Sequence, residues 1–504
     1  MLSLTNASGF PPAPTPFNMA RHVLTHAQKL ARKTALQIVG PTPETFTYAQ
    51  IEEAVLGTAT GLRQLGLKPR DHLLLQLGNT PEFPITYLGA IAGGIIPVPV
   101  SSQLTTPEVE NIVATIKPAL TIRAAGLAAA PGPFRPAESL RAFWNLPPAA
   151  YDMGDPERPA YIIYTSGTSG KPRPVVHAHR AIWARQMMWH GWYGLCADDR
   201  VMHASAFNWT YTLGTGLMDP WSVGATALIP ANGVTADQLP GLLADHSATI
   251  FAAAPGVYRR VLRAQMPPLP QLRHGLSAGE KLADDYASAW GNATGTPIYE
   301  AFGMSECSTF ISGSPTNPAP KGTSGYPQPG RRVALIGPDG PVARGTPGTI
   351  AIHATDPGLM LGYLGAADET AARFQGDWFM TGDIGIMDAS GAITYAGRAD
   401  DMMNAGGYRV SPVEVEDVLT AHPAISEAGA CAVQVRTGTF VIAAFYVATD
   451  VIDEAELRDW VAARLATYKT PRMYIAMDAL PRGANNKLLR RVLRTEWEAA
   501  HGQA

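Results

Sequence analysis

The sequence predicts an α/β protein with a large N-terminal part of layered α/β sheets plus a small β-barrel-like stretch (residues 1–399), then a small α+β domain (400–504). Three observations carry this. Short apolar runs alternate with helical stretches through the first three quarters, the pattern of helices covering mainly parallel sheets. Strand-and-turn units such as "RRVALIGPDGPV" and "GAITYAGR" then take over. Beyond "GRADDMMNAGGYRV" (397–410) a separate helix–strand–strand–helix module of about 100 residues follows, within the usual domain range.

In chain order, "HLLLQL" (72–77) is the first buried strand predicted. The uncharged run Phe83 to Ser102 has the length of a membrane span, but Gly93, Gly94, Pro97 and Pro99 break its second half. It reads as a buried helix, a glycine turn and a short strand, so no membrane span is expected. Residues 128–159 are proline-rich and predict a surface loop leading into the strand "YIIY" (161–164). "ATALI" (225–229) and "ATIFAAA" (248–254) are further strands, and Asp339-Gly340 predicts a hairpin turn. In the last module "SPVEVEDVLTAH" and "DEAELRDWVAARLA" are helices, with strands at "GACAVQV" and "FVIAAFYVA" and a basic end. Asp400 marks the expected boundary.

Composition narrows function. Hydrophobic residues are 46% and charged residues 16%, which suits a buried core and excludes a disordered chain. A net charge of -3 argues against nucleic acid or an anionic membrane as partner. Cys196, Cys307 and Cys431 are too widely spaced for a disulfide framework or a CxxC metal site, which fits a cytoplasmic protein. The N-terminus lacks a basic start followed by an apolar block, so no secretory signal is expected. The sequence leaves a homodimer open.

"YTSGTSGKPRPVVH" (164–177) raises the question of a phosphate loop. A Walker loop needs glycine five residues before Gly-Lys and a hydroxyl residue after the lysine. Here those positions are Thr165 and Pro172, so that reading fails. The segment still suits a polyphosphate: Gly167 and Gly170 let backbone N–H groups converge, and Thr165, Ser166, Thr168 and Ser169 add donors. A plain Ser/Gly turn is the alternative, and other segments decide between them.

Together with "YEAFGMSE" (299–306), "WFMTGDIG" (378–385), "GRADDMMNAGGYRVSPVEVE" (397–416) and "PRGANNKLLRR" (481–491), the loop resembles the adenylate-forming (ANL) superfamily in motif order and spacing. This family includes acyl- and aryl-CoA synthetases, adenylation domains of nonribosomal peptide synthetases and luciferases. The resemblance runs from "FTYAQIEE" at 46 to the end. Within the family, "YTLGTGLMDPWSVGATALIP", "LRHGLSAGEKL" and "KGTSGYPQPGRRVALIGPDG" are similar to benzoate-CoA ligases and their relatives.

The resemblance implies a reaction and roles. A carboxylate attacks the α-phosphate of ATP, releasing pyrophosphate and leaving an acyl-AMP; coenzyme A then displaces AMP. Thr165, Ser166, Gly167, Thr168, Ser169, Gly170 and Lys171 would hold the β- and γ-phosphates, with Mg²⁺ near Thr165 and Glu306. Phe302 would stack on adenine, with Gly279 and Glu280 opposite and Gly303 and Ser305 lining the nucleotide site. Asp383 would accept from the ribose hydroxyls and Arg398 would assist, as an acceptor-only carboxylate suits a cis-diol. Lys487 would be the catalytic lysine, bridging the substrate carboxylate and the α-phosphate. The small domain is implied to be mobile, hinged at Asp400, and to present Gly406, Gly407, Tyr408 and Arg409 to CoA.

Some positions depart from the family pattern. Arg173-Pro174 stands where Lys-Gly is more usual, and Asn486 where glycine precedes the lysine. Asn208 falls where amino-acid-activating relatives carry Asp, which disfavours an ammonium-bearing substrate. Thr212 and Thr309 replace a glycine and a histidine of the benzoate ligases, while Trp209, Tyr211 and Phe310 suggest an apolar, partly aromatic acid pocket. The resulting expectation is an acid:CoA ligase for an aromatic or short- to medium-chain aliphatic acid. Two rivals are an adenylating enzyme that loads a separate carrier protein, and a nucleotide-binding regulator with a fossil site, which intact Lys487, Glu306 and Asp383 disfavour.

Overall fold

A computed structural model describes residues 1–5, 9–165, 173–279, 281–399, 401–405, 408–436, 439–465, 467–483 and 487–501, without the side chains of 404–405, 408–409, 436, 439 and 468. The chain forms two compact units. The larger comprises Asn6–Arg332 with Ile352–Trp378, and the smaller comprises Met1–Thr5, Val333–Ala351 and Phe379–Ala504.

The apolar runs of the larger unit become the strands the sequence predicts. Its main sheet has nine strands in the order Tyr326–Pro327, Ser308–Ser312, Ile298–Met304, His274–Ala278, Ile250–Ala253, Arg200–His203, Thr226–Pro230, Thr34–Val39 and Glu44–Thr47. The six central strands are parallel and the outer ones antiparallel. A parallel sheet must be covered on both faces. Here Trp192, Tyr193 and Tyr211 cover one face, and Tyr258 and Trp290 the other.

A second, all-parallel sheet orders Ile96–Pro99, His72–Gln76, Leu120–Arg123 and Phe134–Pro136. The uncharged run resolves as expected: helix Glu82–Ala92 is buried throughout, Gly94 takes φ +78°, and strand Ile96–Pro99 follows. The proline-rich 128–159 stretch is more than a surface loop. Phe134–Pro136 pairs with Leu120–Arg123, and the 3-10 turn Ala137–Phe143 buries Leu140 completely. Too few apolar residues cluster there for any periodicity to show it.

In the smaller unit, Val333–Gly337, Gly340–Pro341, Pro347–His353, Trp378–Met387 and Ile393–Arg398 belong to one sheet. Gly337 pairs with Gly340, so Pro338 and Asp339 form the hairpin loop, one residue earlier than Asp339-Gly340 suggests. The last module orders Ile425–Arg436, Thr439–Ala448 and Met473–Ala476. Strict alternation gives that sheet two apolar faces. Ala430, Ile442 and Ala444 meet Val415 and Leu419 of helix Pro412–Thr420 and Leu457 and Val461 of Glu454–Ala462. Cys431, Val433 and Phe445 meet Leu493 and Trp497 of Arg490–His501. Ser411 caps the first of these helices by accepting from the Glu414 N–H, with Pro412 at its first position.

Candidate active site

Strands Pro159–Thr165 and Arg173–Ala178 pair antiparallel, with Thr165 opposite Arg173. The intervening Ser166, Gly167, Thr168, Ser169, Gly170 and Lys171 lie outside the described residues. Their frame is nevertheless a hairpin, whereas a Walker loop leads into a helix. Pro174 pairs with Tyr164 and its carbonyl accepts from Leu364 N–H at 2.9 Å. A strand residue aims its N and O to one side, so the donor that proline lacks would have pointed at the 362–364 segment rather than into the loop. Arg173 pairs with Glu369 at 3.1 Å and sits 5.3 Å over the Tyr363 ring. The Arg173-Pro174 departure therefore faces the 362–364 segment and Glu369.

Glu306 follows the strand Ile298–Met304 and is 8% exposed. Its Oε1 accepts from the Tyr363 hydroxyl at 2.7 Å, and its carbonyl from Met360 N–H at 2.7 Å. Burial, then Glu306, push the Tyr363 phenol up to about 12, so it stays a donor. His177 fixes the same segment from the loop side: its Nε2–H donates to the Ser305 carbonyl at 2.8 Å while its ring stacks on Tyr161 at 4.8 Å. Burial pushes His177 down to about 4, which keeps it neutral. Sequence reading missed Tyr363 and His177 as partners of this segment. Tyr363 lies 57 residues from Glu306 and His177 lies 128 from Ser305, so only folding reveals them.

Phe302 meets Phe310 edge-on at 5.4 Å. Gly303 is required by packing, because a Cβ there would stand 2.3 Å from the Ser308 carbonyl oxygen, at a bulge where Ser308 itself takes φ +64°. Gly279 takes φ +104° and packs against the Trp209 ring, which joins the expected adenine-side and acid-side segments. Glu280 lies outside the described residues. Of the acid-pocket candidates, Trp209 is half-buried and Asn208 partly exposed. Tyr211 is buried: its hydroxyl donates to the Leu276 carbonyl at 2.9 Å and its ring packs on Trp192 and His203. Phe310 is fully buried too. Their aromatic character signalled the sheet's cover as readily as a pocket wall. Thr309 is buried and donates to the Met188 sulfur, while Thr212 opens a π-helical turn, Thr212–Met218, with its hydroxyl buried and without a partner among the described residues. Asn79, 126 residues upstream, holds the 205–208 segment through Ser205 O at 3.0 Å and Phe207 N at 3.1 Å.

In the smaller unit, strands Trp378–Met387 and Ile393–Arg398 set Asp383 opposite Arg398. Arg398 Nη1 donates to Asp383 Oδ2 and to the Thr381 carbonyl, each at 3.2 Å, and the Tyr395 hydroxyl reaches Oδ1 at 3.4 Å. Gly382, at φ +80°, leaves room for that guanidinium. Burial raises the Asp383 pKa, and Arg398, then Lys487, oppose the rise. Lys487 thus lies within electrostatic reach of Asp383, although 104 residues separate them. It is exposed, at the mouth of a turn closed by Gly483 N–H to Lys487 O at 2.8 Å. Arg490, at the basic end, grips both oxygens of Glu416 at 2.7 and 2.5 Å. Asp400, Gly406 and Gly407 lie outside the described residues, and Tyr408 and Arg409 are described only as backbone of the strand Tyr408–Val410.

A Ser/Gly-rich segment between two antiparallel strands, a buried glutamate after a parallel strand, and an aspartate–arginine pair with a nearby lysine are features expected of an AMP-binding enzyme. The chain belongs to that family: the AMP-binding enzyme model matches residues 23–364, and the AMP-binding enzyme C-terminal domain matches 414–487. It is 30% identical to a benzoate–CoA ligase of Thauera aromatica, over 98% of this chain and 99% of that one. It is also 30% identical to a 4-hydroxybenzoate–CoA/benzoate–CoA ligase of Rhodopseudomonas palustris, over 89% and 88%. Among solved structures, an anthranilate CoA ligase in complex with anthranoyl-AMP superposes with a TM-score of 0.89 at 26% identity, over 97% and 99%. A benzoate CoA ligase from Burkholderia xenovorans LB400 gives 0.85 at 29%, over 95% and 100%.

Proposed function

We propose that this chain is an ATP-dependent carboxylic acid:CoA ligase that works through an acyl-adenylate and releases AMP and pyrophosphate. Its substrate is an aromatic or short- to medium-chain aliphatic acid. The carrying observation is the buried Asp383 facing Arg398, with Lys487 close enough to bias its ionisation. A carboxylate attacking a phosphate brings two anions together, so a mobile cation near the nucleotide-holding carboxylate is what the step requires.

In this reading Asp383 accepts from the ribose hydroxyls, Arg398 opposes the rise that burial imposes on its pKa, and Lys487 offsets the charge that develops on the α-phosphate. The acid's oxygen bonds to phosphorus as the bond to pyrophosphate breaks. The 166–171 loop would receive the β- and γ-phosphates, and Phe302 the adenine. Among the described residues no three His, Cys, Asp or Glu side chains cluster into a metal cage. A lone Glu306, with Thr165 nearby in sequence to the loop, fits Mg²⁺, which takes one or two carboxylates plus phosphate oxygens. When bound, that ion would neutralise phosphate charge; Tyr363 would hold Glu306 oriented toward it.

In the second step the thiolate of CoA attacks the acyl carbon and AMP leaves with the bridging oxygen. Asp400 would be the hinge that exchanges the Lys487 face for the 406–409 face, which makes 399/400 the functional division of the chain. A carrier-protein thiol could replace CoA by the same chemistry, since both attack the acyl carbon as a thiolate. The three cysteines are unpaired, which supports a reducing, cytoplasmic setting, and no helix among the described residues is long and apolar enough to cross a membrane. A screen of carboxylic acids for pyrophosphate release, with and without CoA, tests the reading. Acid-dependent AMP and pyrophosphate support it, and ADP as the product contradicts it.

A further inference from the structure

Beside the proposed acid site lies a cavity of about 20 Å³, lined by Tyr87, His177, Arg185, Thr210, Ser305 and Ser308 among others. Thr210 sits between Trp209 and Tyr211, and Ser305 and Ser308 flank Glu306 and adjoin Thr309, so the cavity borders the segments assigned to the acid. Its volume suits one water-sized group. Among the described residues, the Tyr87 hydroxyl and His177 Nδ1 on its wall have no hydrogen-bond partner, and Arg185 Nη1 bears an N–H beyond the one given to Ser308.

The Tyr87 hydroxyl is buried with no partner, on a helix buried along its whole length. His177 Nδ1 is likewise buried and unpartnered. Because Nε2 donates to a carbonyl and the ring is neutral, Nδ1 is a bare acceptor. Arg185 is held by Asp219, with Nε at 3.0 Å from both carboxylate oxygens and Nη2 at 2.6 Å from Oδ2, and by Tyr193 at 3.0 Å. Its Nη1 donates to Ser308 Oγ at 2.6 Å, leaving a second N–H on that nitrogen.

The ion pair Arg185–Asp219 and the neighbouring Arg331–Asp356 pair, at 2.5 Å, each cancel their own charge. The cavity therefore has no surplus charge to offer an ionised group. What it offers is one acceptor, one donor and one phenol that can be either. An ionised carboxylate brings no proton for Nδ1, and an ammonium brings no acceptor for the guanidinium N–H. A hydroxyl has one donor and two acceptor lone pairs, and satisfies all three wall groups at once.

We propose that this cavity is a subsite of the acid pocket that seats an uncharged hydroxyl group of the substrate, so that the natural acid is a hydroxy-substituted carboxylic acid. The inference rests on the acid:CoA ligase reading. A site built to hydrogen-bond a substrate hydroxyl rejects the analogue that lacks it, because the buried groups are then left unpaired.

The test uses the full chain with ATP, CoA and matched acid pairs: benzoate against 2-, 3- and 4-hydroxybenzoate, and pentanoate against 5-hydroxypentanoate. Pyrophosphate release is measured for each. At least one hydroxylated acid is expected to exceed its parent in kcat/KM by about 10-fold or more. In Tyr87→Phe that ratio is expected to fall several-fold; partial misfolding would lower both members alike and leave the ratio unmoved. Parents used as well as their hydroxylated partners, or a ratio unchanged in Tyr87→Phe, would overturn the subsite while leaving the ligase reading intact. No release with any acid would overturn the ligase reading and this inference with it.

Discussion

Replacing Asp383 with asparagine keeps the shape of the side chain and removes its charge. The wild-type carboxylate is 6% exposed, so its interactions are little screened by solvent. It can accept from two ribose hydroxyls while Arg398 stays at 3.2 Å. Charge-assisted hydrogen bonds contribute about 1.5–3 kcal/mol and neutral ones about 0.5–1.5 kcal/mol. The amide retains one acceptor oxygen and turns an NH₂ toward a site already supplied with Arg398 donors. A loss of about 1.5–3 kcal/mol follows, or about 10- to 150-fold in kcat/KM for ATP. Acid-dependent pyrophosphate release at varied ATP reads this directly, and repeating it with 2′-deoxy- and 3′-deoxy-ATP supplies a double-mutant cycle. The wild type should discriminate against the deoxynucleotides and Asp383→Asn should not. A kcat/KM for ATP within twofold of wild type, or an undiminished deoxy penalty in the variant, would refute the ribose assignment.

Lys487→Ala is expected to lower acyl-AMP formation by roughly 10²- to 10³-fold while conversion of supplied acyl-AMP with CoA largely survives; equal loss of both halves counts against the division of labour. Asp400→Pro should do the reverse, and normal CoA turnover in that variant would sink the hinge. Stability should fall with acid: burial lowers His177 to about 4 and His203 to about 3 from an ordinary 6.5. The unfolded chain binds protons below about 6.5 that the folded chain refuses, so the stability from these neutral rings is complete above 6.5 and is lost as pH falls toward 4. Thermal midpoints from pH 7 to pH 4 measure this, and a slope unchanged in His203→Gln would remove that residue from the account.

Local pattern made much of the fold legible. Alternation and apolar runs gave the parallel strands, and the glycine pair at 93–94 separated a buried helix from a strand. The antiparallel pairing of Pro159–Thr165 with Arg173–Ala178 was not legible, because an antiparallel partner and a helix can both follow a Ser/Gly-rich segment. The sequence offered candidates only within quoted motifs, whereas the partners that fix those segments come from across the fold. Tyr363 touches Glu306, His177 holds Ser305 and Asn79 holds 205–208 through contacts that no spacing rule encodes. Tyr211 and Phe310 show the opposite ambiguity: an aromatic beside a site is as often the sheet's cover as the pocket's wall.

The central claim, an acyl-adenylate resolved by a thiol, is tested most directly by following the acid's own oxygen. With a substrate acid carrying ¹⁸O in both carboxylate positions, attack on the α-phosphate and departure of AMP place one labelled oxygen in AMP and leave the other in the thioester. Mass spectrometry of the products is predicted to show singly labelled AMP and unlabelled pyrophosphate. Unlabelled AMP, or label in inorganic phosphate alongside ADP, would contradict the account.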